Sequence, residues 1–462
     1  MKTTRTKLVS VALAASIFLG ACGSGSSTNE EPAANQPQPT TGTVVLLLTD
    51  KPTDDLSEIN VALEGAVLIG GEDVDGQQVL YELGPDEQPQ THNILDLQHF
   101  NTPIALAEVQ PGIYTKLRLL ISDIELVDLE GNTLPNVSLP ANGKIDLLDP
   151  SGIEILPGRT LIILVDIEAD KSFMAVGAGN SGHYNFRPVI KAEFMPGDSD
   201  EFPADLDLAR VMGAASNIDY DADTFTLCSV ETPDNCVNVA TDSMTSIFGP
   251  DGAAALFDDT LMDMDPVTVI GTYSLDGGIL LNAVLLEIGG TAEMVSGEVV
   301  SEPDEGQFLL LTNPETEAET AVQLQDGTLF FDPLGQLGPE AVVLGTDLDI
   351  EGAFDADLLR AALVFVSPPA DDQLSGSISA IAEDGTNFTL TTDSGDFTVT
   401  LTEDAYILLV NVTDSEVTMG TFEDLYVGQV VDVFGTDIST ETESLFEANE
   451  VIVDVNASPP PP

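Results

Sequence analysis

Tryptophan is missing from this 462-residue sequence, and cysteine and histidine occur three times each. Cations are the deeper shortage: 13 Lys and Arg stand against 79 Asp and Glu. Each lack excludes something. Nucleic acid requires a basic footprint, so it is not an expected partner. Anionic lipid is disfavoured as a direct partner for the same reason. Without tryptophan the case for a sugar-stacking platform is weak, although seven tyrosines remain. No stretch between residues 42 and 196 keeps helical periodicity over twelve residues, which argues against helical packing there.

What is present begins with an address. Met1 to Lys7 carries three cations and no acid, and Leu8 to Leu19, "LVSVALAASIFL", is uncharged. That run is too short for a stable bilayer-spanning helix and suits a signal-peptide core. Leu19-Gly20-Ala21-Cys22 resembles the bacterial lipobox. The resemblance implies removal of residues 1–21 and acylation of Cys22, with anchoring at the outer membrane or cell surface. The rival reading is an ordinary secretory signal with a chance cysteine at its cleavage site. Residues 22–41, rich in Gly, Ser, Asn, Pro, Gln and Thr, read as a flexible tether. The tail at 456–462, "NASPPPP", reads as extended and disordered.

The other cysteines lie in "FTLCSVETPDNCVNVA". Phe225 and Leu227 alternate with Cys228, and Val237 and Val239 alternate with Cys236. Both sulfurs can therefore meet on the outer face of one hairpin, and an exported chain permits the disulfide. A metal site is the rival, but two cysteines without nearby histidines make a poor one.

Removing the leader leaves ten cations against 79 acids, a net charge of −69. Yet 43% of residues are apolar, so a globular, multi-domain chain is expected rather than disorder. Residues 1–196 hold 26 acids and 11 cations, whereas residues 197–462 hold 53 acids and two cations, Arg210 and Arg360. Adaptation to a saline habitat explains such a charge, and specific calcium binding is the sharper alternative. "EDVDG" (72–76) and "DTLMDMDP" (259–266) only approach a calcium-loop pattern.

Between 42 and 196, "TVVLLLT" (43–49), "INVALEGAVLI" (59–69), "YTKLRLLISDIELVD" (114–128) and "TLIILVDIEA" (160–169) are rich in Val, Ile and Leu and bounded by turn residues. They predict a two-layer β-sandwich. "LTDKP", "QPGIYTKLRL", "LVDIEADKSF" and "YNFRPVIK" occur here in that order, and the set resembles the domain-of-unknown-function family 4382. The resemblance implies a β-rich extracytoplasmic module and no particular activity. Asp166, Glu168 and Asp170 share a face if their strand runs that far, and with Asp50 they are candidate ligands for an oxygen-liking cation such as calcium. A solvated sheet edge guarded by charge is the plainer reading. "HNILDLQH" reads as strand, which sends His92 and His99 to opposite faces and argues against a zinc pair. "GAGNSGH" places Ser181 near His183 but is not a nucleophile elbow.

The remainder repeats. "VMGAASNIDYDADTFTL", "VSGEVVSEPDEGQFLL" and "LSGSISAIAEDGTNFTL" align on Gly213, Gly297 and Gly376, followed by Phe225, Phe308 and Phe388. Each unit closes with "VIG", "IEG" or "VFG", at Gly271, Gly352 and Gly435. Three tandem small β-barrel-like domains are predicted, at 205–290, 291–369 and 372–455, with the glycines at bulges or tight bends. The arrangement resembles the domain-of-unknown-function family 5666. The first unit adds an insert at 244–265 with room for a short helix.

The fold class expected is therefore all-β: an N-terminal β-sandwich followed by three barrels, in an elongated body. A lipid-anchored, non-catalytic binding or scaffolding module without a cofactor is the leading expectation, with an envelope protein or glycan as ligand. A calcium-dependent adhesin or matrix component is the second reading, and a hydrolase with its site in 42–196 the third. The oligomeric state is left open.

Overall fold

A computed structural model describes residues 40–455 apart from internal stretches, the longest being 176–183, 198–207 and 229–235. The leader, Cys22, almost all of the tether, the 456–462 tail, Ser181, His183 and most of "EDVDG" lie outside the described residues. The protein is all-β.

All four apolar runs of the first domain are strands: Gly42–Lys51, Leu56–Gly70, Gly112–Asp128 and Thr160–Glu168. One sheet has the order Ile190–Pro196, Thr160–Glu168, Gly42–Lys51, Thr102–Val109. Its two central strands run parallel, with Leu46 opposite Ile163 and Leu48 opposite Val165. The facing sheet is built on Leu56–Gly70, Gly112–Asp128 and Lys144–Ile155. Leu46, Ile59, Leu68, Leu117, Ile145 and Ile163 meet between the layers, each fully buried. Every such side chain contributes about 1.5–3 kcal/mol relative to an exposed one.

The central strand is apolar at consecutive positions because both of its faces are covered. Val44, Leu46 and Leu48 point into the sandwich. Val45 and Leu47 point away, with Ile162 and Leu164, into a second cluster that includes Tyr273 of the first barrel.

Each later unit is a closed five-stranded barrel. The first comprises Ala209–Asp219, Thr224–Cys228, Cys236–Ala240, Pro266–Ser274 and Leu280–Ile288. The second comprises Ala292–Val299, Gln307–Asn313, Ala318–Asp332, Asp347–Asp355 and Leu358–Val366. The third comprises Asp372–Ile381, Asn387–Thr392, Gly395–Asn411, Val430–Asp437 and Leu445–Asp454. Numbering strands within a barrel, the cyclic order is 1-2-3-5-4 in all three, with strands 3 and 5 parallel. That is the connectivity of a small OB-type Greek-key barrel.

The recurring glycines have recurring causes. A Cβ on Gly213, Gly297 or Gly376 would lie 2.4, 2.3 or 2.3 Å from a carbonyl oxygen of strand 2. On Gly271, Gly352 or Gly435 it would lie 2.2, 2.1 or 2.0 Å from one on strand 5. The ladder slips by a residue at each member of the second set, the bulge that lets strand 4 bend round a barrel this narrow. A turn before strand 4 also recurs. Asp265, Thr346 and Gln429 each donate a backbone N–H to the residue three before, and Met264, Gly345 and Gly428 occupy the left-handed position in it.

One expectation changes. "HNILDLQH" is not one strand: Gln90–Asn93 is a strand, but Ile94–Leu97 is a 3-10 turn. Ile94 and Leu97, three apart, both reach the core, and a 3-10 turn puts such a pair on one side. The barrels also pack onto the sandwich, and the described residues between 40 and 455 form one unit. Glu416–Gly420 pairs in parallel with Lys144–Ile155 and continues the sandwich sheet into the third barrel. Leu408, Val410, Val417, Phe434 and Ile452 of that barrel belong to the same hydrophobic cluster as the sandwich core.

Candidate functional site

With so few cations, their positions are informative. Seven of the ten downstream of Cys22 make ion pairs among the described residues, and most lie where domains meet. Lys171 is buried in the four-residue helical turn Ala169–Ser172 that follows a sandwich strand. Its ammonium donates to Glu168 at 2.9 Å and to Glu450 of the third barrel, and lies 4.2 Å from the centre of the Phe434 ring. The Tyr406 hydroxyl donates to Glu168 at 2.8 Å. Burial, and then the Glu168 charge, push that phenol far above its ordinary range. Nearby, Arg187 pairs with Asp432 at 2.7 Å and Lys116 with Glu416 at 3.2 Å. Burial alone would raise the Asp146 carboxyl, but hydrogen bonds from Arg118 and Lys116 overcome it and hold it below its usual value.

A second charged seam joins the sandwich to the first two barrels. Arg210, 6% exposed, donates to the Glu351 carboxylate at 2.7 Å and to the main-chain oxygen of Asp96 at 3.2 Å. His99 stacks on Phe365 and meets Asp349 at 3.0 Å. Phe100, Leu208, Phe248, Ile270, Leu285 and Phe365 close the apolar part of this junction.

Beside it opens a cleft of about 670 Å³ between the sandwich and the first barrel. Gln90 to Asn93, Asp96 and, from the next strand, Thr102, Pro103, Ala105 and Leu106 form one wall, and Arg210 to Gly213, Cys236 to Asn238 and Pro266 to Thr268 the other. Leu106 and Met212, both more than half exposed, give it an apolar lip. Asp96 is raised above the ordinary carboxylate range, chiefly by burial and against the pull of Arg210. A domain-boundary cleft with an apolar lip and a few polar groups is the usual form of a small-ligand site.

His92 also lines the cleft, and its buried Nε2 has no hydrogen-bond partner. Burial lowers its pKa to about 4. Its folded value lies below its unfolded value, so it contributes stability fully above about pH 6.5 and loses it as pH falls toward 4. His92→Asn is expected to remove about 2–3 kcal/mol of acid sensitivity in that window. Urea melts at pH 7 and pH 4.5 check this, and the opposite sign would refute it.

The candidate cation ligands are placed as follows. Glu168 is neutralised by Lys171. Asp50 accepts the backbone N–H of Ala169 at 3.2 Å. Asp166 is opposite Lys191 in the sheet. The strand ends at Glu168, so Asp170 falls in the helical turn and not on a shared strand face. The cation that Glu168 meets is the chain's own Lys171, and the printed contact of Asp50 is a backbone N–H. Among the described residues no group of three or more His, Cys, Asp or Glu is arranged to hold a metal ion.

Cys228 and Cys236 form a disulfide across the hairpin, directly opposite each other in the ladder. The loop they close is short, with a sequence separation of 8, so reduction is expected to cost about 2.5 kcal/mol. Melting with and without reductant checks the figure, and an unchanged midpoint would contradict it. Sequence reasoning passed over Lys171, Glu351 and Glu450, and named Arg210 only as a scarce cation. The available signal was the loneliness of Arg210, a single cation in a long acidic stretch, since such a charge is rarely left without a buried acid.

Residues 41–188 match the family described as "Domain of unknown function (DUF4382)". No curated protein matches the chain. Among solved structures, a multidomain protein with nucleic acid binding domains from Streptococcus pneumoniae TIGR4 aligns at 10% identity over 54% of this chain and 74% of its own, with a TM-score of 0.12. A superposition that loose carries no argument. Among the described residues no helix is long and apolar enough to cross a membrane, which says nothing of strands. The sandwich therefore carries the family match.

Proposed function

We propose that the protein is a lipid-anchored envelope or surface protein that acts as a non-catalytic binding or scaffolding module, held at the membrane through Cys22. The carrying observation is the placement of the cations at the seams between domains. Positive charge is engaged in joining the sandwich and barrels, and the remaining surface is left overwhelmingly acidic. Arg210 is held by Glu351 and Arg360 by Asp355, so the barrels offer phosphate groups no free counter-charge among the described residues. A neutral or cationic ligand suits this surface, in the form of a glycan or an envelope protein, and the cleft is its binding place. The three barrels are assigned to the domain-of-unknown-function family 5666, a reading supported by their shared strand order and glycine contacts.

The test has two arms. Mass spectrometry of the native protein should show Cys22 as the acylated first residue. Glycan and envelope-protein arrays probed with the detergent-solubilised mature protein should give saturable binding that Met212→Glu, at the cleft lip, weakens at least tenfold. An intact leader refutes the anchor. Chemical conversion of the captured ligand, abolished by His183→Ala or Asp166→Asn, refutes the non-catalytic reading.

A further inference from the structure

The cleft owes its shape to two strands that start together and then separate. Asn101 forms a parallel bridge with Ala209: its backbone N–H donates to the Leu208 oxygen at 3.0 Å, and its own oxygen accepts from the Arg210 N–H at 2.9 Å. Beyond that bridge Ala209–Asp219 enters the first barrel, where Thr224–Cys228 pairs on one side of it and Pro266–Ser274 on the other. Thr102–Val109 stays with the sandwich and pairs with Gly42–Lys51 alone, so it ends its sheet. Among the described residues no strand pairs with its outer edge. An edge strand presents alternate N–H and C=O groups outward, ready for another strand. The Asn101 bridge shows that a second strand does pair here where one is supplied. Thr102, Pro103, Ala105 and Leu106 carry the edge into the cleft, a run of about five residues and about 17 Å. Leu106 and Met212 stand exposed on its two sides.

We propose, resting on the reading of the cleft as the binding place, that an extended polypeptide segment bearing lysine or arginine adds there as a further strand on the edge of Thr102–Val109. Main-chain hydrogen bonds to the edge hold the segment, and its alternate side chains reach the apolar lip. A polypeptide backbone matches such a ladder and a glycan does not, and the tryptophan that would stack a sugar is absent. Charge selects the kind of segment. Asp96 stands in the cleft wall, and Glu108 is exposed further along the edge strand. Arg210, the cation of the wall, is already held by Glu351 at 2.7 Å. Beyond it, residues 197–462 hold 53 acids and two cations. A cationic segment is drawn to this surface and an acidic one is repelled. A second copy of the chain is equally acidic and is disfavoured on the same ground. Pro103 has no N–H to offer, and the ladder with Gly42–Lys51 slips between Leu46 and Leu47, beside it. Both features discourage long edge-to-edge pairing and leave a place for a short segment.

The probe is a blocked octapeptide of alternating lysine and valine, added to the detergent-solubilised mature protein at about 0.15 M salt, where long-range attraction is screened. It should bind saturably, and backbone hydrogen exchange at Thr102–Val109 should slow in the complex. The same octapeptide methylated on every backbone nitrogen keeps its charge and side chains but donates no main-chain hydrogen bond, and it should bind at least tenfold more weakly. An octapeptide of alternating glutamate and valine should not bind. No saturable binding of the lysine peptide, equal affinity for its methylated form, or unchanged exchange at Thr102–Val109 under saturating peptide overturns strand addition. Equal binding of the glutamate peptide overturns the choice of a cationic segment. Glycan binding that Met212→Glu weakens, in a protein whose edge strand the lysine peptide does not protect, keeps the cleft as a binding place and overturns the added strand alone.

Discussion

Lys171→Met is expected to destabilise the mature protein by about 3–5 kcal/mol, the largest single effect foreseen here. The substitution keeps most of the side-chain volume and removes only the ammonium. Glu168 and Glu450, each 1% exposed, then both lose the ammonium they share. Water is unable to reach them, so one must take up a proton or the third barrel must lift from the sandwich. The loss should therefore be smaller in acid, where protonation costs less. Lys171→Met combined with Glu450→Leu should recover much of the stability, because removing both partners leaves no stranded charge on that side. Urea denaturation of the two single variants and the double variant measures this. A Lys171→Met loss below about 1 kcal/mol, the worth of an exposed ion pair, would show that the node is not buried in solution.

Gly435→Ala is expected to cost about 3 kcal/mol. The added methyl would lie 2.0 Å from the Glu447 carbonyl oxygen and 2.9 Å from the Ala448 Cα, both backbone atoms that move only with the strand. The backbone at Gly435 also sits at φ 154°, where an L side chain is strained. Gly131→Ala supplies the control. That residue has positive φ but open space around it, so only conformational strain of about 1 kcal/mol is expected. Equal losses at the two sites in denaturant melts would mean that strand contact contributes nothing. The same clash recurs at Gly271 and Gly352 without the positive φ, so alanine there should cost the contact term alone and somewhat less than at Gly435.

How far the sequence carried depended on range. The long strands of the first domain were legible because Val, Ile and Leu cluster between turn residues, and the repeats because two glycines and a phenylalanine recur. The disulfide was legible from alternation around Cys228 and Cys236, which is a local pattern. The packing of the domains was not. "TVVLLLT" hinted at it, since a strand apolar at successive positions must be covered on both faces. Nothing local, however, says that the second cover is Tyr273, more than 220 residues away. The 3-10 turn at Ile94–Leu97 escaped because four residues carry too little periodicity to separate strand from tight helix. The site residues escaped for a related reason. Asp50, Asp166, Glu168 and Asp170 were weighed as ligands for an outside cation, with a solvated sheet edge guarded by charge as the plainer reading. The partner of Glu168, Lys171, stands in the next turn, and its second partner, Glu450, is 279 residues away. A lysine and a glutamate that far apart leave no pairing signal in one sequence.

Calorimetry of the mature protein, alone and with Lys171→Met, tests the central claim most directly. If scarce cations and a shared core lock the third barrel to the sandwich, the two unfold in one cooperative transition, and the substitution lowers that transition as a whole. A third barrel that melts by itself, at a temperature the substitution does not change, would contradict the account.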